Sequence, residues 1–266
     1  MKTQGKRIVR YLLPLLGILF WIVLWALCAW MVDKEVILPT PLAVLRRLWE
    51  LLGTAGFFGT VAASLLRILG GFCSGAVVAA VLGVLCFRFA VIRALVAPAM
   101  TVIRATPVAS FIILALMFLG KERVPWLICF LMVLPVVYGS VQAGLAGRDP
   151  QLCEMLQVFH VRPLTRLFRF DLPAVFPHFA AGCRTALGLA WKAGVAAEVL
   201  CTPRRAIGKN LYEAKLYLET ADVFAWTMLI IVLSLGLELL LGALFERFAG
   251  KRGAAEKEKE ALCAKT

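Results

Sequence analysis

The sequence predicts an all-α protein that crosses a membrane several times, and three observations carry that prediction. Hydrophobic residues fill 62% of the 266 positions, at a mean hydropathy of +0.88, well above the roughly one-half usual for soluble domains. Charged residues make up only 17% and gather in short connectors between long uncharged runs. Six such runs, at 11–32, 68–87, 94–119, 124–146, 179–201 and 223–246, approach or exceed the ~20 residues that a helix needs to cross ~30 Å of hydrocarbon. Helix is the required conformation, because lipid offers backbone N–H and C=O groups no partner. A soluble globule, a disordered chain and a fibre are thereby excluded. The eight cysteines sit mostly in apolar runs with no C-x-x-C spacing, so they read as small buried hydrophobes rather than a disulfide or metal framework.

Taken in order, a basic tail at 1–10 leads into the first span, 11–32. This run is too long for a signal core and lacks a small-x-small cleavage site, and Leu27 before Cys28 is too bulky for a lipoprotein cut, so it reads as a retained anchor. An external loop follows at 36–56, in which Pro39-Thr40-Pro41 ends a turn and Leu42 to Leu52 forms an amphipathic surface helix. The core, 60–248, holds the other five spans. In the second, Gly71, Gly75, Ala79 and Gly83 recur every four residues; in the fifth, Gly182, Ala186, Ala190 and Gly194 do the same. Stripes of small residues let helix backbones approach closely, within one subunit or across a seam between two. A charged tail, 249–266, closes the chain.

Arginine and lysine set the direction. Six spans put both tails on one side, where Lys2, Lys6, Arg7, Arg10, Arg88, Arg93, Arg148, Arg162, Arg166, Arg169 and the basic residues after Arg247 all fall. Fewer cations, among them Lys34, Arg46, Arg47, Lys121 and Arg204, reach the other side. The excess places both termini in the cytoplasm. It also accounts for the net charge of +13 without a nucleic-acid partner.

The cytoplasmic connector from Gly147 to His178 is longer than its neighbours, at about thirty residues, and needs a reason. Asp149-Pro150 reads as N-cap and first helical residue. Leu152, Met155, Leu156 and Phe159 then repeat at helical spacing. Pro163 opens a second helix with Leu164, Leu167 and Phe168 on its apolar face beside Arg162, Arg166 and Arg169, and Leu172-Pro173 is expected to stop it. The connector is thus a protruding helix-turn-helix with an apolar stripe, lying on headgroups or packed on a partner.

Within the spans Arg67, Arg104, Lys192, Glu198 and Glu238 are costly, and such groups usually face a bundle interior or a water path. Arg67 and Glu198 lie near external ends, where snorkelling is an alternative. Lys192 is near mid-span, and its separation from Glu198 sets the two ~120° apart on a helix. Lys192, Glu198 and Arg104 are the candidates for a path favouring an anion.

The connector resembles the EAA loop of binding-protein-dependent ABC importer permeases. Glu154 stands at the glutamate position, Met155 and Leu156 replace the two alanines, His160 replaces the glycine, Phe170 is at the isoleucine position, and Leu172 and Pro173 form the closing pair. Asp149-Pro150, the stretch from Pro173 to Pro177, the run from Gly182 to Trp191, Ala197-Glu198 and Leu38-Pro39-Thr40-Pro41 are similar to the nitrate, sulfonate and taurine group of these permeases. The likeness covers about 36–248. It implies a MetI-like type I importer fold in a prokaryotic inner membrane, a permease homodimer, two cytoplasmic ATPase subunits that bind ATP and Mg, and an extracytoplasmic solute-binding protein. It further implies that Glu154, Met155, Leu156, Phe159, His160, Pro163, Leu164, Leu167, Phe168, Leu172 and Pro173 dock into the ATPase. Glycine at the turn would favour a left-handed residue; histidine implies a reshaped turn or tolerated strain.

Other classes fit less well. No HExxH or GxSxG is present, and Gly208-Lys209 lacks the rest of a P-loop, so the chain is expected to hold no cofactor and catalyse nothing itself. An ion-coupled secondary transporter would show paired interrupted helices in two repeated halves, which the hydropathy does not display.

Overall fold

The computed structural model describes the backbone of residues 2–263, and the side chains of 16–151, 154–162 and 165–247. Among the described residues it is helical with no strand. In order the helices are α1 (Lys2–Val32), α2 (Pro41–Leu52), α3 (Phe57–Arg88), α4 (Ala90–Ala105), α5 (Val108–Leu119), α6 (Val124–Ala146), α7 (Pro150–Val158), α8 (Pro163–Arg166), α9 (Leu172–Cys201), α10 (Ile207–Leu216) and α11 (Thr220–Cys263). A π-helical turn, Leu167–Asp171, joins α8 to α9.

The core is a three-helix stack with α6 between α3 and α9. The two small-residue stripes explain the arrangement, because both face α6. A Cβ on Gly75 would lie 2.9 Å from the Phe130 carbonyl, and one on Gly83 2.6 Å from Val141; one on Gly71 would overlap the Trp126 carbonyl. On α9, a Cβ on Gly182 would overlap Ser140, one on Gly194 would meet Cys129 Sγ at 2.6 Å and Ile68 of α3 at 2.8 Å, and Ala186 is fully buried. The stripes are seams inside one subunit. Gln142 Nε2 adds a hydrogen bond to the Gly83 carbonyl at 2.8 Å, and Trp191 Nε1 donates to the Ile230 carbonyl of α11 at 3.1 Å.

Among the described residues three helices are long and apolar enough to cross a membrane: α3, α6 and Thr220–Arg247 of α11. The run expected as one span at 94–119 is not a single straight helix: it bends by 107° between α4 and α5, as a broken span or a re-entrant pair does. Pro107 explains the break: it has no N–H for the helix and pushes Thr106 to an extended conformation, φ −82 and ψ 130. Helix α9 is long enough but carries Arg184, Lys192 and Glu198; its place between other helices shields much of it from lipid. Of α1, Leu16–Val32 forms a shorter apolar stretch, loosely attached through α2 and a Trp25–Phe224 ring stack.

The expected helix stop at Leu172-Pro173 is a correction. The chain stays helical from Pro163 through Pro173 and Pro177 to Cys201. Pro173 falls in the first turn of α9, and the preceding turn is widened: the Leu172 N–H bonds the Leu167 carbonyl, five residues back. The second arm of the connector therefore continues into α9 rather than ending in a loop.

Candidate functional site

The segment from α7 to α9 is built around one sharp turn. Asp149 caps α7, its side chain accepting from the Gln151 N–H at 2.9 Å. At the other end the Val161 N–H bonds the Leu156 carbonyl at 3.2 Å and the His160 N–H bonds the Gln157 carbonyl at 3.0 Å, the paired pattern of a Schellman end. His160 occupies its left-handed position with φ +49, so the strain is tolerated rather than avoided. Its Nδ1 lies 2.8 Å from the Gln157 carbonyl, which partly compensates.

Around this turn the side chains divide into two sets. Phe159, 73% exposed, forms an apolar tip with Met155 and Val158, and Phe168 and Leu172 continue the exposed surface on the second arm. Glu154 and His160 are exposed beside them. Leu156, in contrast, is 4% exposed. Although its helical spacing puts it among the expected docking residues, it is covered by the chain itself rather than presented at the surface. Leu167 and Pro173 are half-buried. The side chains of Leu152, Pro163 and Leu164 lie outside the described residues.

Asp171, which the motif reading passes over, fastens the second arm. Its carboxylate pairs with Arg148 Nη1 at the end of α6, and Arg166 Nε stands 3.9 Å from it. Arg148 also donates from Nε to the Leu145 carbonyl at 2.8 Å and lies 4.6 Å over the Phe87 ring of α3. The second arm is thus tied to the end of α6 by a charge pair and, through Arg148, to Phe87 of α3, and it runs into α9 as continuous helix.

At the opposite end of α9, Glu198 does not line a path. It is 0% exposed, with Oε1 accepting from Arg67 Nη1 at 2.5 Å and Oε2 accepting from Ser64 Oγ at 2.8 Å and the Gly208 N–H at 3.2 Å. Ser64 Oγ in turn accepts from the Ile207 N–H at 2.9 Å, and Arg67 Nη2 donates to the Arg205 carbonyl at 3.3 Å. Every acceptor finds a donor, as a buried carboxylate requires. Gly208 is obligatory here, since a Cβ would lie 2.6 Å from Glu198 Cβ. The network pins α10, a helix that hydropathy does not announce, to α3 and α9. Neither Arg67 nor Glu198 snorkels. Nearby on the same face of the molecule, Arg47 of α2 holds Asp222 and Glu50, with Nη2 3.0 Å from Asp222 Oδ2; these partners raise the guanidinium's pKa.

Of the remaining path candidates, Lys192 is exposed on α9. Arg104 is exposed on α4 and donates from Nη2 to the Pro135 carbonyl of α6 at 2.6 Å. Glu238 Oε1 lies where a Cβ on Gly188 would come within 3.1 Å of it. Among the described residues no cluster of three metal-ligating side chains occurs.

Long apolar helices closely packed around a buried, internally paired carboxylate are the make-up of a polytopic membrane protein. Residues 75–250 match the family described as binding-protein-dependent transport system inner membrane component, and the chain belongs to that family. A probable ABC transporter permease protein of Brucella melitensis is 32% identical over 78% of this chain and 85% of its own length. A putative aliphatic sulfonates transport permease of Bacillus subtilis is 26% identical, over 80% and 76% of the two chains. The taurine transport system permease of Escherichia coli is 25% identical, over 87% and 86%. The chain is therefore a membrane permease of the ABC type, and such subunits are not themselves enzymes.

Proposed function

We propose that the chain forms part of the translocation path of an ATP-driven importer for a small anionic solute and is driven through the α7–α8 lever by a separate cytoplasmic ATPase. The observation that carries this reading is the exposed apolar tip at Met155, Val158 and Phe159, on a connector whose second arm the Arg148–Asp171 pair ties to the end of α6. An apolar tip on a braced arm passes on a displacement only while it is packed in a socket that itself switches state. A homodimer, six crossings with both termini in the cytoplasm, a prokaryotic inner membrane and an external solute-binding protein complete the proposal. The sulfonate and taurine permeases among the relatives support a sulfonate-bearing solute.

The test is co-purification with a candidate ABC-type ATPase subunit co-expressed with the chain, followed by Phe159→Glu. A charge at the tip is expected to reduce ATPase capture by about tenfold, equivalent to ~1.4 kcal/mol, while the chain stays folded in detergent. Undiminished capture with normal uptake of taurine or an alkanesulfonate would overturn the docking role. Uptake that ignores ATP depletion but collapses with the ion gradient would replace the importer by a secondary transporter.

A further inference from the structure

Two adjoining clefts lie beside the second arm of the connector, and Leu172 of the exposed surface reaches the wall of one of them. The first, of about 520 Å3, is bordered by Arg88, Arg148, Arg166 and Asp171. The second, of about 440 Å3, is walled by Ala80, Val81, Val141, Val175 and Phe179 and has almost no polar surface. They share Val84, Leu85 and Leu167, so together they make one groove with a greasy half and a cationic half. Three guanidiniums face a single carboxylate there. Arg148 and Arg166 share Asp171, whereas Arg88, exposed in the last turn of α3, has no hydrogen-bond or ion-pair partner among the described residues.

We propose that this groove binds one anionic glycerophospholipid, with an acyl chain in the apolar half and the phosphate on Arg88 and the uncompensated charge of the Arg148–Arg166 pair. Charge complementarity chooses the occupant: an apolar slot alone would take any hydrocarbon, but the adjoining net positive charge selects an anionic head group attached to it. Size argues the same way. Two turns of a helix ~10 Å across occupy roughly 850 Å3, about twice the apolar slot, whereas a single acyl chain is far slimmer. Basic pockets at the membrane face between helices are suited to anionic head groups on general electrostatic grounds. Because Leu167 and Asp171 belong to the lever's π-helical turn, the lipid would wedge between the lever and α3. The inference uses the membrane placement of the chain, not the identity of its ATPase or solute.

The full chain, reconstituted in phosphatidylcholine nanodiscs, is labelled with trace phosphatidylglycerol or trace phosphatidylcholine, each carrying a diazirine in its acyl tail, and the labelled peptides are mapped by mass spectrometry. Labelling on the walls at Val81 and Val175 is expected to favour phosphatidylglycerol by at least about fivefold, the factor that one guanidinium contributes at an anionic interface. Arg88→Gln should reduce that preference about fivefold, and Ala80→Trp, which fills the slot, should remove labelling by both probes. Equal labelling of the wild-type groove by the two lipids would reduce the site to ordinary boundary lipid and overturn the proposal. So would an Arg88→Gln chain with an unchanged preference, or a Val81→Cys chain that crosslinks to a second copy while the walls stay unlabelled. ATPase capture that persists after any of these results would leave the importer reading standing while the lipid site falls.

Discussion

His160 holds φ +49 in a position where glycine is the usual residue, and a left-handed residue with a Cβ costs roughly 1–2 kcal/mol. His160→Gly is therefore expected to stabilise the detergent-solubilised chain by at most about 1 kcal/mol, read as a higher thermal midpoint, because the Nδ1 contact with Gln157 is lost at the same time. His160→Val, branched at Cβ, should lower it by a similar amount. A second residue-scale outcome concerns the buried pair. Glu198→Ala leaves Arg67, with its side chain only 14% exposed, beside unpaired donors, at a cost of about 3–5 kcal/mol. Arg67→Met combined with Glu198→Leu removes both charges and should recover part of that loss in the same melting assay. If the double variant were worse by the sum of the two single losses, the pair would not be acting as a unit. The sequence marks Glu198 and Arg67 as costly but not as partners, because 131 positions separate them and only the folded α3–α9 contact brings them together. His160 was legible because the EAA spacing assigns it a position, whereas Asp171 lies between the motif's marked residues.

At the scale of elements, helix identity was readable wherever a long apolar run met an unambiguous boundary. Both small-residue stripes were visible, but period alone does not name a neighbour; that α6 receives both depends on Trp126, Phe130, Ser140 and Val141 presenting backbone or small groups at matching heights. Prolines misled twice, in opposite directions. Pro107 breaks a run that hydropathy reads as one span, and Pro173 fails to stop a helix because it sits in a first turn behind a π-helical widening. The stripes predict a contrast between two glycines. Gly194→Val forces a branched side chain onto Cys129 and Ile68, and should destabilise by about 1–3 kcal/mol through overpacking. Gly236→Ala on α11 meets nothing within 4 Å and should leave the melting temperature unchanged or slightly raised. Equal losses in the two variants would mean that the close approach on α9 is not what holds the bundle.

For the whole molecule, charge balance separates structure from transport. Glu198 and Arg67 neutralise each other in the interior, and Asp222 does the same for Arg47; of the exposed cations on α4 and α9, Arg93 donates to the Cys86 carbonyl and Arg184 pairs with Glu246, while Lys192 and Arg104 lie farther along their helices. Arg104 is partly occupied by the Pro135 carbonyl, so Lys192 is the stronger candidate to meet a solute. A cation held near an anion at about 4 Å is worth roughly 1 to 4 kcal/mol between aqueous and protein-like screening. Lys192→Met, which keeps the length and the apolar stem, is accordingly expected to raise the half-saturating concentration for sulfonate uptake by about tenfold, with ATPase capture and thermal stability unchanged. That combination would distinguish a path residue from a structural one: a lysine serving only as a partner for another helix would lower stability when removed and leave the concentration dependence as it was. Unchanged uptake kinetics in a stable Lys192→Met chain would remove Lys192 from the path, and with it the charge argument for an anionic solute.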